Sequence, residues 1–459
     1  MTARSPKKPF LRETITVTID KLGGSGDGIA TITTAENQFP RRIFIPYCLP
    51  TETVIAETFE RSSEGLRANL IEITNSAPNR TKPHCQHFGH CGGCALQHIS
   101  PTEQAKFKTE KIITGLTNRG WDAKSIPILP IQSSAAGQRR RAVFTAKRAY
   151  ADQGGELSIG FNQKSAHRII DLQECPVLLP QLFALLELLR LVLQSCLNPG
   201  VSADILTTAT DSGTEMVIRA HDRLKGGHKK PLPLLTPAAL DSLLQLAHQQ
   251  KLSRLIWQSA GHRPETLHEG QKPTVRHGGF AVPFPTGGFL QATQSGEELI
   301  VAAVLAGLTH LPPPAKILDL YAGSGTLTLP LVAAGYSLHA VEGDPTATAA
   351  LMATRADYSD LKNSLKITRR DLVKQPLLSI EFADYDAVIL DPPRVGAEAQ
   401  VTEIAKSSLQ NLIYVSCGPE SFAKDASILA AAGFRLSQIQ PIDQFVWSPH
   451  VELVAYFSR

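Results

Sequence analysis

Cys417 follows the run Tyr414-Val415-Ser416 and precedes Gly418-Pro419, a short distance after Asp391-Pro392-Pro393-Arg394, and both segments close apolar stretches of strand type. In an open α/β sheet, residues that end successive strands face one crevice, because ligands bind outside the carboxyl ends of the strands. A thiol at such a mouth is a candidate nucleophile, and the chemistry it points to is one that needs sulfur.

Ile317-Leu318-Asp319-Leu320 runs into Tyr321-Ala322-Gly323-Ser324-Gly325-Thr326, which reads as a buried strand, a glycine-rich turn and the start of an apolar helix. Glycines at that turn let the backbone approach a ligand closely and leave helix N–H groups available. Leu327-Thr328 supplies no third glycine, so the spacing is not the dinucleotide fingerprint. Glu342 closes the next strand, where a carboxylate can accept from both hydroxyls of a ribose. Strand, glycine turn and acid at this distance resemble the S-adenosylmethionine site of class I methyltransferases.

The double proline after Asp391 fixes the backbone and removes two N–H donors, which leaves a rigid loop with outward carbonyls. Amino-methyltransferases follow a similar Asp/Asn-Pro-Pro with an aromatic that stacks on the base, whereas Arg394 follows here. RNA cytosine-C5 methyltransferases carry a second cysteine in this loop, and this loop has none. Uracil C5 is the remaining reading. That carbon becomes nucleophilic once a thiolate has added to C6, and a base must afterwards remove the C5 proton so that the thiolate can leave. Glu452, in His450-Val451-Glu452 at the start of the last expected strand, is the candidate base.

A second constellation contains Cys85, Cys91 and Cys94, with Cys175 before Pro176 as the fourth candidate far downstream. Glycines between closely spaced thiolates permit the tight turns that wrap a metal. Four cysteines suit tetrahedral zinc or an iron-sulfur cluster, and His84, His87 and His90 keep zinc open while the cysteine-proline pair leans toward iron-sulfur. Between the third and fourth cysteines, Gln138-Arg139-Arg140-Arg141, Lys147-Arg148, Lys164, His167 and Arg168 read as a cluster for phosphate contacts. Lys225 to Lys230 reads as a flexible basic loop.

These groups must be positioned by more than one core, since 459 residues suggest about three domains. Residues 8–75 carry short β-branched runs between glycine-rich turns and predict a small β-barrel of the kind that binds single-stranded nucleic acid. Residues 84–278 predict a central mixed α/β domain, with a helix within 96–122. Residues 279–459 alternate strands with helices and predict a parallel, doubly wound α/β sheet: Lys316 to Leu320, Ser337 to Val341, Ser364 to Thr368, Tyr385 to Leu390, Asn411 to Ser416 and Val451 to Phe457. With 42% apolar and 19% charged residues the composition is that of a soluble protein, and a net charge of +4 permits an anionic partner. No apolar run reaches the roughly 20 residues of a membrane span. The odd count of seven cysteines and a basic, proline-punctuated start without a secretory core point to a reducing, cytoplasmic setting.

Taken together, the chain resembles the RNA uracil-C5 methyltransferases of the TrmA/RlmD type over nearly its whole length, and most closely the branch acting on 23S ribosomal RNA. The resemblance rests on Cys91-Gly92-Gly93-Cys94-Ala95-Leu96-Gln97-His98, Phe289-Leu290-Gln291-Ala292-Thr293, Asp319 to Gly325, Asp391 to Gly396, Tyr414 to Pro419 and His450 to Glu452, in that order. It implies a class I methyltransferase domain, an N-terminal TRAM-like barrel and a central iron-sulfur domain whose helix within 96–122 packs on the catalytic domain; a monomer is expected. It further implies Cys417 as nucleophile and Glu452 as base, with Gln291, Tyr321, Thr326, Glu342, Asp371 and Asp391 lining the S-adenosylmethionine site. Cys85, Cys91, Cys94 and Cys175 would hold a 4Fe-4S cluster. Thr326, Thr293 and Gly418 stand where the family commonly has asparagine. Transfer RNA as substrate, and a non-catalytic iron-sulfur RNA-binding factor, are the competing expectations.

Overall fold

The computed structural model describes residues 12–34, 37–164, 166, 168–223, 229–230, 232 and 235–459. Residues 8–11 of the expected barrel, His167 and most of the basic loop Lys225 to Lys230 lie outside the described residues. The chain forms two compact units, one of residues up to Lys111 with Trp447–Pro449, the other of Ile112–Val446 with His450–Arg459.

The first unit is built on a six-stranded sheet in the order Thr14–Thr18, Thr53–Arg61, Leu66–Asn75, Asn37–Ile45, Gly28–Thr34, Lys21–Leu22. Alternation decides which face is buried: Val54, Ala56 and Thr58 point inward along one strand while their neighbours stay half-exposed. The cysteine-rich stretch that follows is a series of turns. It is tied to the Trp447 loop, whose carbonyl accepts from the amides of Ala95 (2.9 Å) and Leu96 (3.0 Å).

The second unit contains two large sheets. One has the order Ile169–Asp171, Leu157–Asn162, Arg141–Arg148, Ser202–Thr210, Gly213–Arg223, Arg254–Ser259, Glu265–Glu269, and Lys229–Lys230 pairs on Gly213–Arg223. Its one parallel pair, Gly213–Arg223 with Arg254–Ser259, is joined through the helix Pro237–Gln249, the crossover that parallel strands require.

The other sheet carries the residues expected to do the chemistry. Its order is Leu365–Arg369, Ser337–Glu342, Lys316–Leu320, Ala387–Leu390, Asn411–Ser416, Glu452–Ser458, Arg435–Asp443, Gln132–Ser133. Ile317 and Leu318, adjacent in one strand, enter cores on opposite faces. The continuous apolar run of a parallel strand is thus required on both sides. Helix Pro101–Thr117 contributes Ile112 and Leu116 to one of these cores beside Tyr414 and Phe422. Each such buried side chain is worth about 1.5–3 kcal/mol against exposure.

The sheet departs from the all-parallel expectation at its end. Glu452–Ser458 pairs antiparallel with both Asn411–Ser416 and Arg435–Asp443. Only residues 444–451 join the last two strands, too few for a crossover, so the chain must return as a hairpin. That reversal brings Glu452, the first residue of its strand, to the same edge as the last residues of the parallel strands.

Candidate active site

Along that edge the candidate side chains follow the strand order. The Lys316–Leu320 strand ends at Tyr321, whose φ of 64° is left-handed although it is not glycine. Its amide and that of Ala322 both reach the Val341 carbonyl, at 3.0 and 3.2 Å. Gly323 (φ 57°) has open space where a Cβ would stand, so its backbone can meet a ligand directly. At Gly325 (φ 94°) a Cβ would lie 2.7 Å from Leu351 Cδ1, so this position must be glycine for packing as well as conformation.

Glu342 lies next to this turn. Its Oε2 accepts the Gly323 amide (2.8 Å) and its Oε1 the Asp344 amide (2.6 Å). Asp344 in turn caps the helix Pro345–Asp357 through Thr346 and Ala347. Asp371 accepts from the amides of Val373 (3.2 Å) and Lys374 (3.3 Å), and the Lys374 ammonium beside it holds its carboxyl below the usual range. Thr326 is half-buried in the turn. Beneath it Asp319 is fully buried, takes the Thr328 hydroxyl at 2.5 Å, and leaves Oδ1 without a partner. Burial pushes Asp319 up to about 7, against the Thr328 hydrogen bond and with the charge of Glu342.

The two loops nearest the centre brace each other. The Ser421 hydroxyl donates to the Arg394 carbonyl at 2.8 Å, spanning from the helix Pro419–Ala431 to the Asp391 loop. Asp425, on the same helix, accepts from the Ala397 amide (2.7 Å) and the Tyr414 hydroxyl (2.6 Å). A Cβ on Gly418 would fall 2.6 Å from Ser421 Oγ and 2.8 Å from the Arg394 carbonyl oxygen. The bridge between the loops therefore occupies the space a side chain would need, which accounts for glycine at this position.

Cys417 is half-buried between these loops. Burial pushes its thiol up to about 11; Glu452 and Asp391 add to the rise and Arg394 opposes it. The Asp391 carboxyl is driven well above its ordinary range by burial and then by Glu452 and Asp319. Glu452 is 6% exposed, and burial raises it to about 7 although a hydrogen bond from Gln444 pulls it down. The three groups share one field, so their protons belong to the set rather than to any one of them.

Gln444 is a site residue that the sequence did not reveal. Its Nε2 donates to Gln291 Oε1 (2.7 Å) and to Glu452 Oε1 (3.1 Å), while its Oε1 accepts the Ala292 amide (2.8 Å). Behind Gln291, Arg140 donates through Nε to the Gln291 carbonyl (3.0 Å) and pairs with Glu297, which also meets His277 Nδ1 at 2.8 Å. Burial would raise Glu297, but His277 and Arg140 together hold it below the usual carboxylate range. A buried carboxylate needs such partners, so Arg140, expected among the phosphate-contacting residues, is spent inside the protein. Arg148 likewise donates to the carbonyls of Gly155 (3.2 Å) and Leu197 (2.7 Å).

Of the four cysteines expected at a cluster, Cys85, Cys91 and Cys94 belong to the first unit and Cys175 to the second. Among the described residues no three His, Cys, Asp or Glu side chains gather as they would around a metal ion. The Gly93 amide donates to Cys91 Sγ at 3.4 Å, and the Val177 and Leu178 amides act on the half-buried Cys175 sulfur, as amides do around thiolate ligands. No helix among the described residues is long and apolar enough to cross a membrane.

Comparison with known proteins gives one direction throughout. The sequence profile of the tRNA (uracil-5-)-methyltransferases matches residues 313–459. A protein of Brucella melitensis named an uncharacterized RNA methyltransferase is 36% identical over 96% of this chain and 97% of its own length. One of Caulobacter vibrioides with the same description is 36% identical over 96% of this chain and 99% of its own. The 23S rRNA (uracil(1939)-C(5))-methyltransferase RlmD of Erwinia tasmaniensis is 29% identical over 98% of this chain and 97% of its own length. Among solved structures, the Pyrococcus abyssi tRNA (uracil-54, C5)-methyltransferase in complex with S-adenosyl-L-homocysteine superimposes with a TM-score of 0.70, covering 96% of this chain and 99% of that one. At 21% identity that likeness speaks to the fold alone.

Proposed function

The chain belongs to the S-adenosylmethionine-dependent RNA uracil-C5 methyltransferase family, and from that premise we propose that it methylates C5 of a uridine in 23S ribosomal RNA through a covalent adduct on Cys417. The observation that carries the proposal is the sequence of groups along one sheet edge: Glu342, Tyr321, Asp391, Cys417, Glu452. S-adenosylmethionine, when bound, supplies an electrophilic methyl group on a sulfonium. Gln291, Tyr321, Thr326, Glu342, Asp371 and Asp391 are the residues that would hold it, and the open space over Gly323 and the unpartnered Asp319 Oδ1 suit a polar ligand there.

The remaining steps belong to this chain's own residues. The Cys417 thiol must first give its proton to solvent, and Arg394 is the neighbour that favours the thiolate, whereas Asp391 and Glu452 oppose it. Its sulfur then forms a bond to C6, and the C5=C6 electron pair moves toward C5 and the C4 oxygen. After C5 has taken its methyl group, Glu452 as a carboxylate removes the C5 proton. The electrons of that C–H bond restore C5=C6 and expel the Cys417 thiolate. Division into addition and elimination is what covalent catalysis provides, and a base with a pKa near 7 suits proton removal at neutral pH.

Ribosomal RNA is favoured as target by the full-length likeness to the Erwinia enzyme. Transfer RNA is the second reading, favoured by the profile that matches residues 313–459. The same reading places a TRAM-like barrel on the six-stranded sheet of the first unit and a 4Fe-4S cluster on Cys85, Cys91, Cys94 and Cys175, supported by the resemblance and by the amides that donate to Cys91 and Cys175. Iron and acid-labile sulfide analysis of anaerobically purified protein tests the cluster. The function is tested with in-vitro transcripts of 23S and transfer RNA carrying 5-tritiated uridine. Tritium release that depends on S-adenosylmethionine and on the 23S transcript is expected; donor-dependent release from transfer RNA alone would move the target, and none from either would refute the proposal.

A further inference from the structure

Gln444 sits between the carboxylate proposed to take the C5 proton and the glutamine proposed to face the methyl donor. The geometry points to a specific task, and we propose that Gln444 is a positioning residue that locks Glu452 and Gln291 into one arrangement, so that proton removal is set by the same amide that shapes the donor crevice. This rests on the reading given under the proposed function.

Both donors and one lone pair of the Gln444 amide are engaged. Both bonds from Nε2 go to side-chain oxygens, Gln291 Oε1 at 2.7 Å and Glu452 Oε1 at 3.1 Å, and Oε1 takes the Ala292 N–H at 2.8 Å. The Ala292 amide fixes the sense of the group, because a flipped amide would set N–H against N–H and leave two acceptors unmet. Gln444 is 2% exposed, and Gln291 and Glu452 are 6% exposed, so water offers no substitute. Its side chain is also held from behind: a Cβ on Gly296, in the first turn of the helix Gln294–Gly307, would fall 2.5 Å from Gln444 Cβ. The strand register completes the arrangement, since Ile442 pairs with Glu452 and the chain turns at Asp443 through the bond from the Phe445 amide (2.9 Å).

The side chain of Gln291 is constrained in consequence. With Oε1 held by Gln444, its Nε2 has no partner among the described residues and is the end left for a ligand acceptor. For Glu452, the bond from Gln444 is its one side-chain hydrogen bond among the described residues. It favours the ionised form and so opposes the burial that raises this acid. The titratable groups that share the field of Glu452 are Cys417 at the end of Asn411–Ser416 and Asp391 after Ala387–Leu390. The step at stake is the last one: Glu452 gains the C5 proton, the C5–H pair becomes the C5=C6 bond, and sulfur leaves C6 with its electrons. Loss of the Gln444 donor should slow this elimination and leave the earlier addition of sulfur in place.

The test uses the full-length protein, in-vitro-transcribed 23S RNA with 5-tritiated uridine, and S-adenosylmethionine labelled in its methyl group. Gln444→Met keeps the length of the side chain and removes both donors. Under single turnover its tritium release should fall about tenfold or more at neutral pH, with methyl label trapped on protein-bound RNA and the pH profile of release displaced upward. Adduct formation with 5-fluorouridine RNA should stay within about threefold of wild type. Combined with Glu452→Gln, the substitution should add nothing further to the loss, as expected of a residue that acts through the base. Gly296→Ala, which crowds Gln444 from behind, is a second variant expected to trap the same species should Gln444→Met fail to fold.

Wild-type release and an unshifted profile in Gln444→Met would overturn the inference, as would an equal fall in adduct formation and release, or additive losses in the double variant. If wild type itself forms no 5-fluorouridine adduct, the proposed function fails and this inference with it.

Discussion

Glu342 and Asp371, beside the outer strands of the catalytic sheet, rest on backbone amides, whereas Asp391 and Glu452, at its centre, have one side-chain hydrogen bond between them among the described residues. The outer carboxylates are held in place by donors that need no proton, and Asp371 lies below its ordinary range. The central groups are buried with little compensation, and Asp391, Cys417 and Glu452 all keep their protons to higher pH than usual. One edge thus serves two purposes. On the proposed function, its outer part accepts from a ligand's hydroxyls and its centre holds the protons that move during the reaction.

The sharpest way to break that contrast is to remove the proposed nucleophile. Cys417→Ala should lower methylation by at least about a thousandfold, with no stable RNA adduct, as measured with labelled donor. Glu452→Gln should still form the adduct but slow tritium release by about 100- to 10,000-fold, the range of a lost general base. On the outer part, Glu342→Ala should weaken donor binding by roughly 10- to 100-fold in calorimetry, as for a lost hydrogen bond to a charged group, and leave addition to 5-fluorouridine RNA at saturating donor nearly unchanged. If Glu342→Ala instead abolished addition at saturation, the two parts would not be separable.

The pH dependence follows from the same contrast. Glu452 must be ionised to act, and its pKa is raised to about 7, so proton release should climb about tenfold per pH unit below 7 and level off above it. Cys417 must also be ionised, and its pKa is raised to about 11, so adduct formation should keep climbing past the point where proton release levels off. Stopped-quench measurements of the two steps would separate them. The smallest effect expected is for Gly418→Ala, whose methyl meets the Ser421–Arg394 bridge; about fivefold slower adduct formation corresponds to ~1 kcal/mol of crowding.

Much of this edge was legible in the sequence because its parts are local. A glycine turn, a double proline and a cysteine after an apolar run each announce a strand end, and strand ends of a parallel sheet share a mouth. The Arg435–Asp443 strand was not among the expected strands; Pro441 and the polar Ser437 and Gln438 weaken its strand pattern, although it pairs along the whole of Glu452–Ser458. Its omission hid both the antiparallel end of the sheet and the place of Gln444. The partners of Gln444 and Arg140 were equally hidden: Gln291 lies 153 residues from Gln444, and Glu297 lies 157 from Arg140. Nothing in an arginine run distinguishes a guanidinium bound for phosphate from one bound for a buried carboxylate, and only the fold separates Arg140 from its neighbours.

The central claim is that Cys417 attacks C6 of a uracil. It is tested most directly by incubating the protein with 5-fluorouridine-substituted 23S RNA and S-adenosylmethionine, digesting the trapped complex and locating the nucleotide by mass spectrometry. A methylated fluorouridine remnant on Cys417, absent without the donor and absent in Cys417→Ala, is the expected result. A remnant on any other residue, or an adduct that survives in Cys417→Ala, would contradict it.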